Sequence, residues 1–295
     1  MSKLIAILNE FGAEIFPKNT FRLPFKLKSS NFPVGIKYVA GSSAQLKSAA
    51  ILAALNSYGT TTIFEKYKTR DHTENLLTKN SKSIFFKNKK DIIKISGKKT
   101  LDPFNIKIPS DPSSAAFYAA ICLLNKKSSL KIKNVCINPK RLGFYNILKK
   151  NGAKIKIINR KKINNEYVGD ILIKSSKINF LKTNFSHYLT ATDEYPIMFV
   201  IAAFLKGTSK FTGIGELANK ESNRIIEMKK ILVKLGIKCK SSSDSITING
   251  GETFIKRNNF LKISSLNDHR IAMSCLVLAV CSGLKIIING FETVN

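Results

Sequence analysis

Acid is what this sequence has least of. Its 295 residues carry 19 Asp and Glu against 49 Lys and Arg, a formal net charge of +30. Histidine is scarce too, and His72, His187 and His269 are too scattered to suggest a metal centre. The five cysteines (Cys122, Cys136, Cys239, Cys275, Cys281) are odd in number, lack paired spacing and sit mostly in apolar runs. That speaks against a disulfide framework and a metal site, and for reduced thiols in a cytoplasmic protein. No apolar run is long enough to span a bilayer. The segment Met1 to Glu10 has a short apolar stretch with one Lys and no small-residue cleavage site. It reads as an amphipathic helix, not a signal peptide.

What is present is a globular composition. Hydrophobic residues make up 44% of the chain, enough for real cores, and the length suits two domains. So basic a chain raises the question of a nucleic-acid partner. The excess, however, is lysine: 42 lysines spread through the chain beside many Asn and Ile, all three encoded by A/T-rich codons. No helix-turn-helix, zinc finger or RNA-stacking motif stands out, so no nucleic-acid partner is expected. The informative cations are the seven arginines, three of which (Arg70, Arg224, Arg270) fall in motifs. Arginine is favoured where carboxylate or phosphate must be gripped in a fixed geometry.

The chain repeats a unit at a period of roughly 70–80 residues, longer than common solenoid periods. Each unit opens on a small or acidic residue and an Ala-rich apolar helix. The openings are Ser42 to Ala50, Asp111 to Phe117, Asp193 to Met198 and Asp268 to Ser274. Apolar on all sides, these helices are expected to be buried. A turn and an alternating strand follow, at Gly59 to Phe64, Ser129 to Val135, Gly207 to Thr212 and Gly283 to Ile288. A second, amphipathic helix then ends in Gly or Asn before another strand, as in Phe144 to Asn151 and Ile225 to Leu235. Met1 to Phe16 matches the second half of such a unit, and Phe291 to Asn295 stands where a second helix should begin. The pattern therefore reads as a chain cut at both ends of a repeat.

Against this background the clustered acids matter. Asp193 and Glu194 precede the apolar run Ile197 to Leu205, which places Asp193 at a helix start. Lys220, Glu221 and Arg224 are read as opening a further helix, with Lys220 and Arg224 on one face. Two cations and a carboxylate suit a doubly anionic substrate and a proton transfer. Buried helices whose first turns face a cleft offer unpaired N–H groups to an anion; Ser43, Ala44 and Gln45 occupy one such turn. Asp111 and Asp268 are read as helix caps. Thr69 to Glu74 has the shape of a capping box, with Arg70 a candidate substrate contact.

The motifs Ser43-Ala44-Gln45-Leu46-Lys47-Ser48-Ala49, Thr69 to Glu74, Pro109 to Phe117, Asp193 to Ile197, Lys220 to Arg224 and Asp268 to Met273 occur together in order. On them the chain resembles the 5-enolpyruvylshikimate-3-phosphate synthases, the 3-phosphoshikimate 1-carboxyvinyltransferases, over essentially its whole length. The resemblance implies an α/β fold of two domains, each an inside-out α/β barrel of repeated units, incomplete here. The expected domains are 1–107, part of the first barrel, and 108–295, the second barrel without its last segment. It also implies enolpyruvyl transfer from phosphoenolpyruvate to the 5-hydroxyl of shikimate 3-phosphate in aromatic amino acid biosynthesis, with no cofactor, metal or membrane partner and a monomeric full-length enzyme. Ser43, Ala44, Gln45, Arg70 and Lys220 would bind shikimate 3-phosphate, with Gln45 also touching phosphoenolpyruvate. Asp193 would take the 5-hydroxyl proton, Glu221 would move the proton at C3, and Arg224 and Arg270 would grip phosphoenolpyruvate.

The chain departs from the family pattern at Asn223, where Asp is usual. The family's amino-terminal Lys-Ser…Arg segment, its Asn-Ala-Gly-Thr-like loop and a carboxy-terminal lysine are not in the sequence. The expectation from these gaps is that the chain alone is weakly active or inactive. A UDP-N-acetylglucosamine enolpyruvyl transferase would need a reactive cysteine in a mobile loop, and no cysteine sits in a Gly-rich one. The remaining readings are an inactive fragment of the synthase and a basic nucleic-acid-binding protein.

Overall fold

The computed structural model describes residues 1–80, 84–87, 91–99, 101–251, 254 and 260–294. It divides into two compact units, residues 1–107 with 162–166, and residues 108–161 with 167–295.

The first unit runs α1 (Ser2–Glu10), β1 (Glu14–Phe16), β2 (Lys26–Lys28), β3 (Lys37–Ala40), α2 (Ala44–Leu55), β4 (Thr60–Glu65), α3 (His72–Asn80), β5 (Ile84–Lys87) and β6 (Ile92–Ser96). β1 and β2 form an antiparallel pair. The other strands form one sheet in the order β3-β4-β6-β5, with β3 and β4 parallel and the remaining pairs antiparallel. Strand β4 alternates, burying Thr61 and Ile63, so one face of the sheet is dry. The core is small: Ala50, Ile51 and Ala54 of α2 meet Ile63, Ile93 and Ile95 of the sheet.

The second unit runs α4 (Pro112–Leu124), β7 (Ser129–Cys136), α5 (Gly143–Lys150), β8 (Lys154–Ile163), β9 (Glu166–Lys174), β10 (Lys182–Thr183), α6 (Phe185–Ala191), α7 (Tyr195–Phe204), β11 (Gly207–Thr212), α8 (Arg224–Lys234), β12 (Lys238–Ser241), β13 (Ser245–Gly250), β14 (Leu261–Ser264), α9 (His269–Ser282) and β15 (Ile286–Asn289). The tip of the β8–β9 hairpin, residues 162–166, groups with the first unit. The sheets are β7-β9-β8, β10-β11-β13-β12 and the parallel pair β14-β15. β10-β11-β13-β12 has the same order and the same parallel and antiparallel pairs as β3-β4-β6-β5. The repeating unit is thus strand, helix, strand, helix, strand, strand. The sequence did not reveal its opening strand, because two residues such as Lys182–Thr183 are too few to show alternation.

Helices α4, α7 and α9 pack on one another at the centre of this unit. Every residue of α7 from Tyr195 to Ala203 is buried. A helix apolar on all sides is stable only when covered on all sides, and each large side chain so buried contributes about 1.5–3 kcal/mol. Tyr195, Phe199 and Phe211 stack edge to face, the closest ring centroids 4.9 Å apart. Gly250 ends β13 against α7 with no room for a side chain, since a Cβ there would sit 1.9 Å from the Ala202 carbonyl oxygen. α9 closes on Gly283, whose φ of +69° is the left-handed stop expected of a glycine.

The expectation that all four Ala-rich helices are buried holds for α4, α7 and α9 on most of their surface, and fails for α2. Only Lys47, Ala50, Ile51 and Ala54 of α2 are buried, and Leu52 is 57% exposed. Besides the sheet, α1 packs on α2 through Ile7 and Phe11, and this cover leaves Gln45 and Leu52 exposed. Of the carboxy-terminal stretch, Phe291–Val294 makes a 3-10 turn and Asn295 lies outside the described residues.

Candidate active site

In the first unit, Ser43 caps α2, its Oγ accepting the Leu46 N–H at 3.3 Å. Ala44 and Gln45 form the first turn, Gln45 exposed. Arg70 is half-buried in the loop between β4 and α3. The capping box read at Thr69 to Glu74 does not form there: α3 starts at His72, two residues late for Thr69. Glu74 turns inward instead and its carboxylate meets the buried Lys47 ammonium at 2.6 Å.

In the second unit the first turns of four helices carry a continuous set of charges. Asp111 caps α4, accepting from the Ser113 and Ser114 amides at 3.2 and 3.0 Å. It is also paired with Arg141 Nη2 at 2.6 Å, with Arg270 Nη2 3.7 Å away. Arg141 donates to Ser113 Oγ at 2.8 Å, and Ser113 donates to the carboxylate of Glu194, which is buried just ahead of α7. Asp268 caps α9 through the Arg270 and Ile271 amides. It does more than cap: it accepts Nε and Nη2 of Arg224 at 2.9 and 3.2 Å, and Ser222 Oγ at 2.9 Å. Arg224 is 1% exposed; its Nη2 also holds Glu221 at 2.6 Å, and its Nη1 lies 3.9 Å from Asp193.

Two placements differ from the sequence reading. Asp193 does not cap α7; it sits in a 3-10 turn over Thr192–Glu194, and α7 begins at Tyr195. Residues from α6 onward are already coiled, so no extended residue stands there to act as a cap. Lys220 and Glu221 do not lie on a helix face. They precede α8, whose first residue is Arg224 and whose cap is Asn223, its side chain accepting the Ile226 N–H at 3.2 Å. Asn caps as well as Asp, so the departure from the family pattern leaves the helix start intact. Lys220, half-buried, ends the preceding 3-10 turn.

Burial opposes ionisation of Asp268, but the Arg224 bonds and charge, with Ser222 and the Arg270 amide, outweigh it and hold the carboxyl below its usual range. Asp111 behaves alike, burial being outweighed by Arg141 and the Ser113 and Ser114 donors. Both are therefore anions at neutral pH. Arg270 stacks over the Phe117 ring at 5.9 Å, and its Nη1 is buried with no hydrogen-bond partner. An unsatisfied guanidinium nitrogen at a helix start is a donor available to an anionic ligand.

Over residues 1–295 the sequence matches the family described as EPSP synthase (3-phosphoshikimate 1-carboxyvinyltransferase). The chain belongs to the EPSP synthase family. It is 34% identical over 286 residues to the 3-phosphoshikimate 1-carboxyvinyltransferase of Parvibaculum lavamentivorans, covering 96% of this chain and 63% of that protein. It is 37% identical over 297 residues to that of Petrotoga mobilis, covering 100% and 68%. The EPSP synthase from Acinetobacter baumannii matches with a TM-score of 0.83 at 33% identity, covering 100% of this chain and 67% of that one. The enolpyruvyl transferase NikO from Streptomyces tendae, at 14% identity and a TM-score of 0.75 over 99% of this chain and 67% of that one, shares the fold. The chain spans 63% and 65% of the length of the Parvibaculum and Novosphingobium aromaticivorans relatives.

As a member of the EPSP synthase family the chain has no helix, among the described residues, long and apolar enough to cross a membrane. Its cysteines are free. Burial raises the thiols of Cys122 and Cys281, of Cys239 to about 11 and of Cys275 to about 12, so none of these four is a ready nucleophile at neutral pH. Arg141 and Lys47 were missed from sequence. Arg141 was within reach, since the scarcity that singled out Arg70, Arg224 and Arg270 applies equally to it. Lys47 was hidden among 42 lysines.

Proposed function

We propose that this chain carries the machinery of enolpyruvyl transfer from phosphoenolpyruvate to the 5-hydroxyl of shikimate 3-phosphate. The observation that supports this most is Arg224. One buried guanidinium touches Asp268 and Glu221 and lies 3.9 Å from Asp193. Arg270, on the next helix start, keeps one nitrogen unsatisfied.

In this reading Asp193 accepts the proton of the 5-hydroxyl as its oxygen bonds to C2 of phosphoenolpyruvate. Glu221, entering the step as the carboxylic acid, delivers its proton to C3, giving a tetrahedral ketal and a Glu221 carboxylate. The C2–O bond to phosphate then breaks, phosphate leaves with the proton that Asp193 had taken, and Glu221 takes a proton back from C3 to leave the enolpyruvyl ether. Arg224 and Arg270 hold the phosphoenolpyruvate carboxylate; Ser43, Ala44, Gln45, Arg70 and Lys220 hold shikimate 3-phosphate. Anionic carboxylate bases can work beside anionic substrates only where fixed cations offset the repulsion beforehand, which is the part the arginines play. The departing groups need no metal or redox partner in this scheme, and the site reading includes none. The cellular setting would be the cytoplasm.

Calorimetry tests it. Shikimate 3-phosphate should bind saturably to the chain, and binding should weaken at least tenfold in Arg70→Ala. Phosphoenolpyruvate, added second, should bind with Arg224 and Arg270 intact and not in Arg270→Ala. Absence of saturable binding by the wild-type chain, or binding indifferent to these changes, overturns the proposal. Tight, salt-dependent binding of DNA that survives loss of Arg224 and Arg270 would favour the nucleic-acid reading instead.

A further inference from the structure

Lys47 lies one turn inside α2 from the residues proposed to bind shikimate 3-phosphate, its amide bonded to the Ser43 carbonyl at 3.2 Å. Its side chain is fully buried, and the ammonium sits 2.7 Å from Glu65 and 2.6 Å from Glu74. Those carboxylates are themselves only 3% and 2% exposed. Glu65 is the last residue of β4 and Glu74 lies in the first turn of α3. Between them runs the loop that carries Arg70. A single ammonium thus ties both ends of that loop to the start of α2. A second tie, Ser48 Oγ to Thr73 Oγ1 at 2.7 Å, joins the same two helices beside it. Within the loop the Lys66 N–H donates to the Ala40 carbonyl at 3.2 Å, while the buried hydroxyl of Thr69 has no hydrogen-bond partner. Lys68, a cation of the loop itself, is 42% exposed and divided between Glu65 at 3.5 Å and Asp91 at 2.5 Å.

We propose that Lys47 is a positioning residue for shikimate 3-phosphate, fixing the Ser43-Ala44-Gln45 turn against the Arg70 loop through its two glutamates. A buried ion cluster is a poor way to gain stability, because apolar side chains of the same volume serve as well or better. It is a good way to fix geometry, because an ammonium and carboxylates demand particular distances and directions. Lysine suits the place as a compact point charge whose three donors reach two carboxylates on different elements. The consequence for ligand binding rests on the function proposed above; the positioning itself does not.

The test compares Lys47→Met with Ile51→Ala, a buried core change on the same helix with no ionic contact. Two readouts are taken at a temperature where circular dichroism shows every variant folded. In Lys47→Met, amide hydrogen exchange at residues 43–46 and 66–72 should quicken at least tenfold, and the dissociation constant for shikimate 3-phosphate should rise at least tenfold. Ile51→Ala should lower the melting temperature comparably and change neither. Equal behaviour of the two variants overturns the proposal. Should Lys47→Met fail to fold, Glu74→Gln decides: exchange at 66–72 should quicken about threefold, and wild-type exchange there overturns the proposal. If the wild-type chain does not bind shikimate 3-phosphate, the proposed function falls while the exchange data still decide this point.

Discussion

Each unit encloses a cation among carboxylates, and the two are built differently. In the first, the Lys47 ammonium is shared by two glutamates that burial has closed off almost entirely. In the second, Arg224 turns Nε and Nη2 on Asp268, shares Nη2 with Glu221 and has Nη1 3.9 Å from Asp193; Glu221 and Asp193 are 48% and 21% exposed. The lysine cluster faces inward and holds backbone elements together. The arginine cluster is anchored inward and open outward, which is what contact with a ligand requires. The protonation states differ accordingly. Burial raises the carboxyl of Glu74, only partly offset by Lys47, whereas Asp268 is held below its usual range.

Removing the cations should expose that difference most strongly. Arg224→Met strands Asp268, which is fully buried yet still accepts from Ser222 Oγ and the Arg270 and Ile271 amides, donors that favour its anion, and should lower stability by about 3–5 kcal/mol in urea titrations at pH 7. Lys47→Met should cost less, about 3 kcal/mol, because Glu74 can take up a proton and relieve the charge. The Lys47→Met loss should shrink when the titration is repeated at pH 5, and the Arg224→Met loss should not. Equal losses with equal pH responses would show that the two clusters are alike.

Apolar packing offers a second comparison. Ile201 in α7 and Ile51 in α2 are both fully buried, and both stand in the Ala-rich helix that opens a repeat. α7 is covered on all sides, while α2 has an open flank at Leu52 through which neighbours can relax. Truncation leaves a larger residual cavity where collapse is blocked. Ile201→Ala should therefore cost about 4–5 kcal/mol and Ile51→Ala about 2–3 kcal/mol, read from thermal or urea unfolding. A reversal of the order would mean that α2 is packed more rigidly than its exposure suggests.

The same pair shows what could be read from sequence and what could not. The repeat, the Ala-rich helices and the alternating strands follow from local periodicity, and α4, α7 and α9 are placed as read. Burial of α2 was misjudged because periodicity tells which side chains seek cover, not whether a partner is there to supply it. At the site, Asp111 and Asp268 cap their helices as short acidic residues should, a local effect. Asp193, read at a helix start, stands in the 3-10 turn over Thr192–Glu194 that leads into α7, and does not act as its cap because the coiled turn from α6 reaches it first. The links from Arg141 to Asp111 and from Arg224 to Asp268 span 30 and 44 residues. No local rule reports a pairing at that separation; scarcity of arginine was the one available hint.

The smallest effect separates the units by pH. In the second unit, Asp170 accepts the Asn134 amide at 3.0 Å, the Asn159 side chain at 2.9 Å and Lys131 at 3.2 Å. These donors, the Asn134 amide foremost, lower its carboxyl to about 2. A carboxyl lowered in the folded state contributes stability that is present above its unfolded pKa, about 3.9, and is lost as pH falls toward 2. Glu74 is raised, so its contribution has the opposite sign: present at low pH and lost as pH rises through its folded value. Asp170→Asn should therefore flatten the acid side of the stability profile between about pH 4 and 2, and Glu74→Gln should flatten a decline on the other side of the carboxylate range. Urea midpoints measured in half-unit steps from pH 2 to 7 resolve both. If Asp170→Asn leaves the acid limb unchanged, the Asn134 and Asn159 bonds are not what holds that carboxylate ionised. The bulge between Ile132 and Val135, where Asn134 takes a positive φ, would then owe its shape to the backbone alone.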